Sequence, residues 1–185
     1  WCIASSNFLS WFPVGTVGAL WGIPYLMKML DVSNTQASEK FMVFWICIGF
    51  MAPGIGWFSG RILRRRLLLI FTFSTGVVGS LLLIFSSSLP VNWIVIALFL
   101  LGIPAASQCI AFALLKENVD IKSYVTASAL CNMASVMGGF IGQPLMGALI
   151  EWHWKGVVIN NIPVYSIDNY LTGFILLPIS MVLGV

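Results

Sequence analysis

Asn132 and Gln143 lie 11 residues apart inside one long apolar run, Tyr124 to Ile150. Eleven helical steps of about 100° return almost to the starting azimuth, so the two amides share a face with Ser128, Ser135 and Gly139. Leu130, Met133, Met137, Phe140 and Ile141 fall largely elsewhere. A polar group inside hydrocarbon is costly unless it faces protein or water. Such a stripe therefore either lines a path for a polar solute or is a close-packing seam in which Asn132 and Gln143 bond a neighbouring helix. Both readings stand for these residues.

A second stripe runs along the first apolar segment, where Asn7, Trp11, Gly18, Trp21 and Tyr25 share a helical face. Pro13, Gly22 and Pro24 are expected to bend or break that helix on the way. Trp21 and Tyr25 also fit an interfacial aromatic belt, since Trp and Tyr favour the headgroup level for reasons unrelated to solute movement. Gln108, beside Ser107 and one turn after Pro104, either points into a cavity or bonds the backbone that the proline leaves unsatisfied.

Bond-breaking chemistry finds little support. Cys2, Cys47, Cys109 and Cys131 are scattered singly and read as small apolar fillers rather than metal ligands. There is no His-Glu-x-x-His, no Gly-x-Ser-x-Gly and no Gly-rich Walker loop, so a non-enzymatic protein without metal or organic cofactor is expected. His153, between Trp152 and Trp154, reads as an interfacial anchor. The Arg cluster is short and lacks interleaved aromatics, which argues against nucleic acid and for orientation and anionic lipid headgroups.

The elements that must position these stripes follow from composition. Of the 185 residues 59% are apolar and 8% charged, where a soluble domain carries about 25% charged residues. Every charged side chain falls in a connection or at a segment end. Six helices are expected, at about 1–27, 34–58, 67–85, 93–115, 124–150 and 171–185. Ser33 and Gln36 are spaced as a capping box, and Ser86 to Pro90 suits a tight connection and a new start. The last segment looks cut short. Outer-membrane strands alternate apolar and polar residues, and these runs do not. The first run is too long and lacks the basic leader of a signal peptide, and the chain reads as a fragment or processed piece.

Charge placement orients the bundle. The connections after the second and fourth segments share a side and hold Arg61, Arg64, Arg65, Arg66, Lys116 and Lys122; the opposite side holds Lys28, Lys40 and Lys155. The bias favours a cytoplasmic N-terminus for this stretch.

Gly56 to Arg66 resembles the loop motif of the major facilitator superfamily: Gly56, Ser59, Arg61, Arg64 and Arg65 match, while Gly60 stands where the family has Asp and Leu63 where it has a second Gly. In the family that Asp belongs to a charge network steadying one transport state, so the network is in question here. A degenerate copy is usual in the second half of such proteins. The resemblance covers the chain and implies an all-α, six-transmembrane-helix bundle forming the seventh to twelfth helices of a twelve-helix fold. Trp21 to Leu26, and Asn132 with Gln143 to Gly147, look like a bacterial branch, some of whose members carry amino acids or nucleosides.

The resemblance also implies inverted three-helix repeats, faintly echoed by Gly49-Phe50, Pro53 and Gly56 against Gly139-Phe140, Pro144 and Gly147. It makes the first helix a cavity helix, with Asn7, Trp11, Gln108, Asn132 and Gln143 as cavity candidates and Trp21 and Tyr25 as gate candidates. The expected function is transmembrane movement of a small polar organic solute by alternating access, in a bacterial inner membrane. Expected partners are lipid, the solute and an N-terminal six-helix half. A non-transporting scaffold, or a half-transporter acting as a dimer, is the alternative.

Overall fold

The first apolar run forms a continuous helical rod of mixed pitch. A computed structural model of the chain describes residues 1–61, 64–152, 154–159 and 162–185. In it α1 (Cys2–Pro13) passes into a π-helical stretch, Val14–Trp21, and then into α2 (Gly22–Leu30). Pro13, which has no N–H to give the preceding turn, marks the junction. Just beyond it the Thr16 hydroxyl donates to the Phe12 carbonyl at 2.7 Å, and the Gly22 N–H reaches back five residues to the Val17 carbonyl. The expected bend is thus a change of pitch. Asp31 closes the rod in the left-handed conformation, φ 52°.

Five further helical stretches are long and apolar enough to cross a membrane: Asn34–Arg61, Arg65–Ile84, Val91–Asn118, Tyr124–Trp152 and Ile167–Gly184. The first is α3, opened by the expected capping box, in which the Gln36 N–H donates to Ser33 Oγ and the Ser33 N–H to Gln36 Oε1. The second is α4 (Arg65–Ile84). A short 3-10 turn at Ser86–Ser88 then leads to α5 (Val91–Ala106) and α6 (Gln108–Asn118). These two helices form one span broken after Pro104, whose carbonyl accepts from both the N–H and the hydroxyl of Ser107. The fifth span is α7 (Tyr124–Trp152).

The sixth span corrects the expectation of a short segment. A two-residue hairpin, β1 (Val158–Ile159) against β2 (Ile162–Pro163), follows α7. Ser166 and Asn169 then form a capping box that starts α8 (Ile167–Phe174) four residues earlier than hydropathy indicated. A break at Ile175 leads into α9 (Leu176–Gly184), giving an 18-residue span. The reciprocal Ser–Asn bonds hold a helix start that polar composition had disguised as loop. The starts at Asn34 and Tyr124 fall where expected, and the other segment bounds lie within three residues of those expected. His153 and Leu63 lie outside the described residues.

Packing follows a repeat. The first span lies on the fifth as the fourth lies on the second, and α4 packs on α5 as α9 packs on α1. Exchanging the first three spans with the last three preserves these pairings, but α7 packs on α8 whereas α3 makes no comparable contact with α4. The Gly49 and Gly139 echo is not equivalent in space: a Cβ on Gly49 would meet nothing within 4 Å, whereas Gly139 lies against Gly15. The close approach matching Gly15 is at Gly102 on α5, where a Cβ would stand 2.9 Å from the Phe44 carbonyl oxygen. The main core joins Tyr25, Leu26, Phe41, Phe44, Leu83, Leu98, Leu101 and Phe174.

Backbone contact between Gly15 and Gly139 leaves no room for a methyl group. Gly15→Ala is expected to destabilise the bundle by about 1–3 kcal/mol through overpacking, while Gly49→Ala on an open face should be neutral or stabilise by up to about 1 kcal/mol. Thermal unfolding in detergent followed by size-exclusion profile reads both.

Candidate functional site

Three spans meet at the Ser135 hydroxyl. It accepts from Asn7 Nδ2 at 2.7 Å and from Gln108 Nε2 at 3.3 Å, and donates to the Cys131 carbonyl at 3.2 Å. Asn7 Nδ2 also donates to the Cys131 carbonyl at 2.9 Å. Residues from α1, α6 and α7 are thereby joined in one polar knot. Asn7 is only 1% exposed, so it sits between α1 and α7 rather than on an open wall. Gln108 is half-buried and reaches across to α7, while Ser107 serves the Pro104 kink.

Some polar capacity around the knot is unspent. Among the described residues Asn7 Oδ1, Trp11 Nε1 and Ser128 Oγ are shielded and have no hydrogen-bond partner. Asn7 and Trp11 are one helical turn apart on α1, so an acceptor and a donor project from the same face. Such groups invite a water or a polar solute group.

The expected stripe on α7 divides. Ser135 and Gly139 are buried against the first span, Gln143 is half-buried, and Asn132 is exposed with no side-chain hydrogen bond among the described residues. Gln143 Nε2 donates to the Gly15 carbonyl at 2.8 Å, within the π-helical stretch, and the Trp21 indole N–H reaches the Gln143 carbonyl at 3.4 Å. Gln143 therefore bonds a neighbouring helix. Asn132 does not.

At the other end of the rod Tyr25 is 1% exposed, which removes it from a headgroup belt within this unit. Its hydroxyl meets Ser86 Oγ and the Leu83 carbonyl at the end of α4, and its ring stacks edge-on against Tyr170 and Phe174 with centroids 6.0 and 4.9 Å away. Trp21 is half-buried and also edges onto Tyr170, at 6.5 Å.

The loop-motif residues cluster at the Arg-rich end. Gly56 faces Cys109 of α6, where a Cβ would stand 3.8 Å from the Cys109 Cβ, and Ser59 is buried. The Arg61 guanidinium lies 3.7 Å over the Trp57 ring. Arg64 is exposed just before α4, and Arg65 Nη2 pairs with Glu117 Oε1 at 2.9 Å. Glu117, from the end of the fourth span, gives this end an ion pair although Gly60 replaces the acidic motif residue. Partial exposure of both partners, 20% and 52%, limits it to about 0–1 kcal/mol.

Sequence reading did not single out Glu117, gave Ser86 only as part of a tight connection, and read Cys131 as an apolar filler rather than as a carbonyl acceptor. Only Glu117 had a signal, an acid at the end of a span predicted to share a side with the arginines.

A helical rod followed by five helical stretches long and apolar enough to cross a membrane, joined by a polar knot where the first, fourth and fifth spans meet, defines a multi-pass membrane protein. The profile of the Major Facilitator Superfamily matches residues 3–178, and the chain belongs to that family. It is a membrane transporter.

The contrast between the two asparagines is measurable. Asn7→Ala should destabilise by about 0.5–2 kcal/mol, because the Cys131 carbonyl and Ser135 lose a buried donor. Exposed Asn132→Ala should stay within about 0.5 kcal/mol of wild type. Thermal denaturation of the purified variants gives the comparison.

Proposed function

We propose that this protein is a secondary active or facilitative carrier of a small polar organic solute, working by alternating access between this six-helix unit and a second, N-terminal one. The supporting observation is Asn132, an exposed amide on a 29-residue apolar span, beside the Asn7–Ser135–Gln108 knot. An amide facing acyl chains would be costly, whereas one facing a water-filled path between two halves is ready to bond solute. The shielded but unpartnered Asn7 Oδ1 and Trp11 Nε1 add an acceptor and a donor to the same region. Gln108 and Gln143 hold the wall in register, and Trp21 and Tyr25 close its far end.

The charged side chains all sit in connections or towards span ends, so the wall recognises its solute through neutral hydrogen bonds, and any proton-carrying group belongs to the second half. The Arg65–Glu117 pair ties the second-to-third connection to the end of the fourth span. That supports gathering Arg61, Arg64, Arg65, Arg66, Lys116 and Lys122 at one end, which the positive-inside rule assigns to the cytoplasm of a bacterial inner membrane.

Uptake of labelled amino acids, nucleosides and sugars by cells expressing the full chain tests the reading. At matched membrane abundance Asn132→Ala should lower uptake of one solute class by about tenfold, the worth of one hydrogen bond to solute. Unchanged uptake of that solute would assign Asn132 to contact with the second half, and absence of any uptake would favour a scaffold.

A further inference from the structure

The end of the bundle opposite the arginines holds a cavity of about 400 Å³ between the end of α2 and the segment that runs from the β1–β2 hairpin into α8. Lys28, Asp31, Tyr165 and Tyr170 supply its polar groups, and Met27 and Val32 part of its apolar floor. Its size is that of a site for a small molecule.

Both walls are held in place. Lys28 stands in the last turn of α2 and Asp31 ends that helix in the left-handed conformation, so an ammonium and a carboxylate three residues apart border the same cavity. Neither forms an ion pair among the described residues. On the facing wall the Trp154 indole N–H donates to the Val164 carbonyl at 3.1 Å, and the Val164 N–H to the Val157 carbonyl at 2.9 Å. Tyr165 lies between Trp154 and Tyr170, with ring centroids 5.9 and 6.1 Å away. Tyr170 is only 7% exposed, yet its hydroxyl has no hydrogen-bond partner among the described residues. A buried phenol left unpartnered at a cavity invites a polar group from outside the chain.

The charges say which kind. One cation and one anion held apart, at net zero, match a ligand that is neutral overall and carries both signs. Phenol rings beside a carboxylate favour an ammonium, and the floor leaves room for an apolar group. A sugar or a nucleoside would use neither charge. We propose that this cavity is a reception site for a zwitterionic α-amino acid with an apolar side chain. Its carboxylate pairs with Lys28, its ammonium with Asp31 and the Tyr170 hydroxyl, and its side chain lies over Met27 and Val32. Tyr170 also edges onto Trp21 and Tyr25, so an amino acid bound there touches the aromatic clasp at the far end of the rod. The assignment rests on the transport reading and narrows its solute to amino acids.

Equilibrium binding of radiolabelled leucine, methionine and phenylalanine to the full chain in lipid nanodiscs tests the site without requiring transport. At least one should bind. The matching amine, which lacks the carboxylate, and the matching acid, which lacks the ammonium, should each compete at least about tenfold more weakly, the worth of one charge-assisted hydrogen bond. Lys28→Gln and Asp31→Asn, at exposed positions, should each lower affinity by at least about tenfold. Tyr170→Phe, which keeps the ring packing, should lower it about threefold. Glu39→Gln, an exposed charge change outside the cavity, should leave it unchanged. Binding of none of the three amino acids, equal competition by a singly charged analogue, affinity unchanged in both charge variants, or an equal loss in Glu39→Gln would each overturn the proposal. The transport reading fails by a different sign, the absence of any solute uptake by cells expressing the chain.

Discussion

Contact between the backbones of Gly15 and Gly139 sets the geometry on which the polar architecture depends. Between helices in lipid there is little hydrophobic driving force, so association relies on close packing and on interhelical hydrogen bonds that only close packing allows. With the first and fifth spans at this distance, Asn7 reaches Ser135 and the Cys131 carbonyl, Gln143 reaches the Gly15 carbonyl, and Trp21 reaches the Gln143 carbonyl. Gly138 and Gly142 extend the seam: their added Cβ atoms would stand 2.9 Å from the Phe8 carbonyl oxygen and 2.5 Å from Thr16 Cγ2. The π-helical stretch lies along this seam.

The seam also sorts the polar residues by task. Where both partners lie inside the unit, as with Asn7 Nδ2 and Ser135, hydrogen bonds hold helices together. Where a polar atom has no partner among the described residues, as with Asn7 Oδ1 and Trp11 Nε1, capacity remains for water or solute. One side chain, Asn7, does both.

The two ends of the bundle are held differently. At the Tyr25 end, buried aromatic rings and the Ser86 hydroxyl lock α2 to α4 and α8 with neutral contacts. At the opposite end, Arg61 lies on Trp57 and Arg65 pairs with Glu117, contacts that water and salt weaken. The first end is therefore the firmer clasp within this unit, and the second the more readily adjusted.

Hydropathy by itself indicated six helical segments and roughly where they lie, five of them helices long and apolar enough to cross a membrane and the first a rod of mixed pitch, because an uninterrupted apolar run of membrane length has few other outcomes. Local chemistry also fixed the Ser33–Gln36 cap and the turn at Ser86 to Pro90. Helical spacing placed Asn132, Ser135, Gly139 and Gln143 on one stripe, but not which of them a neighbour would cover. That depends on the azimuth at which α1 and α6 approach α7, a property of the assembled bundle. For the same reason Tyr25 turned inward, Asn132 stayed exposed, and Arg65 found its carboxylate 52 residues away, since chain spacing carries no record of distant partners. The sequence determined the spans and the side chains available along them; tertiary packing alone decided which polar groups are spent on holding helices together and which are left to meet something else.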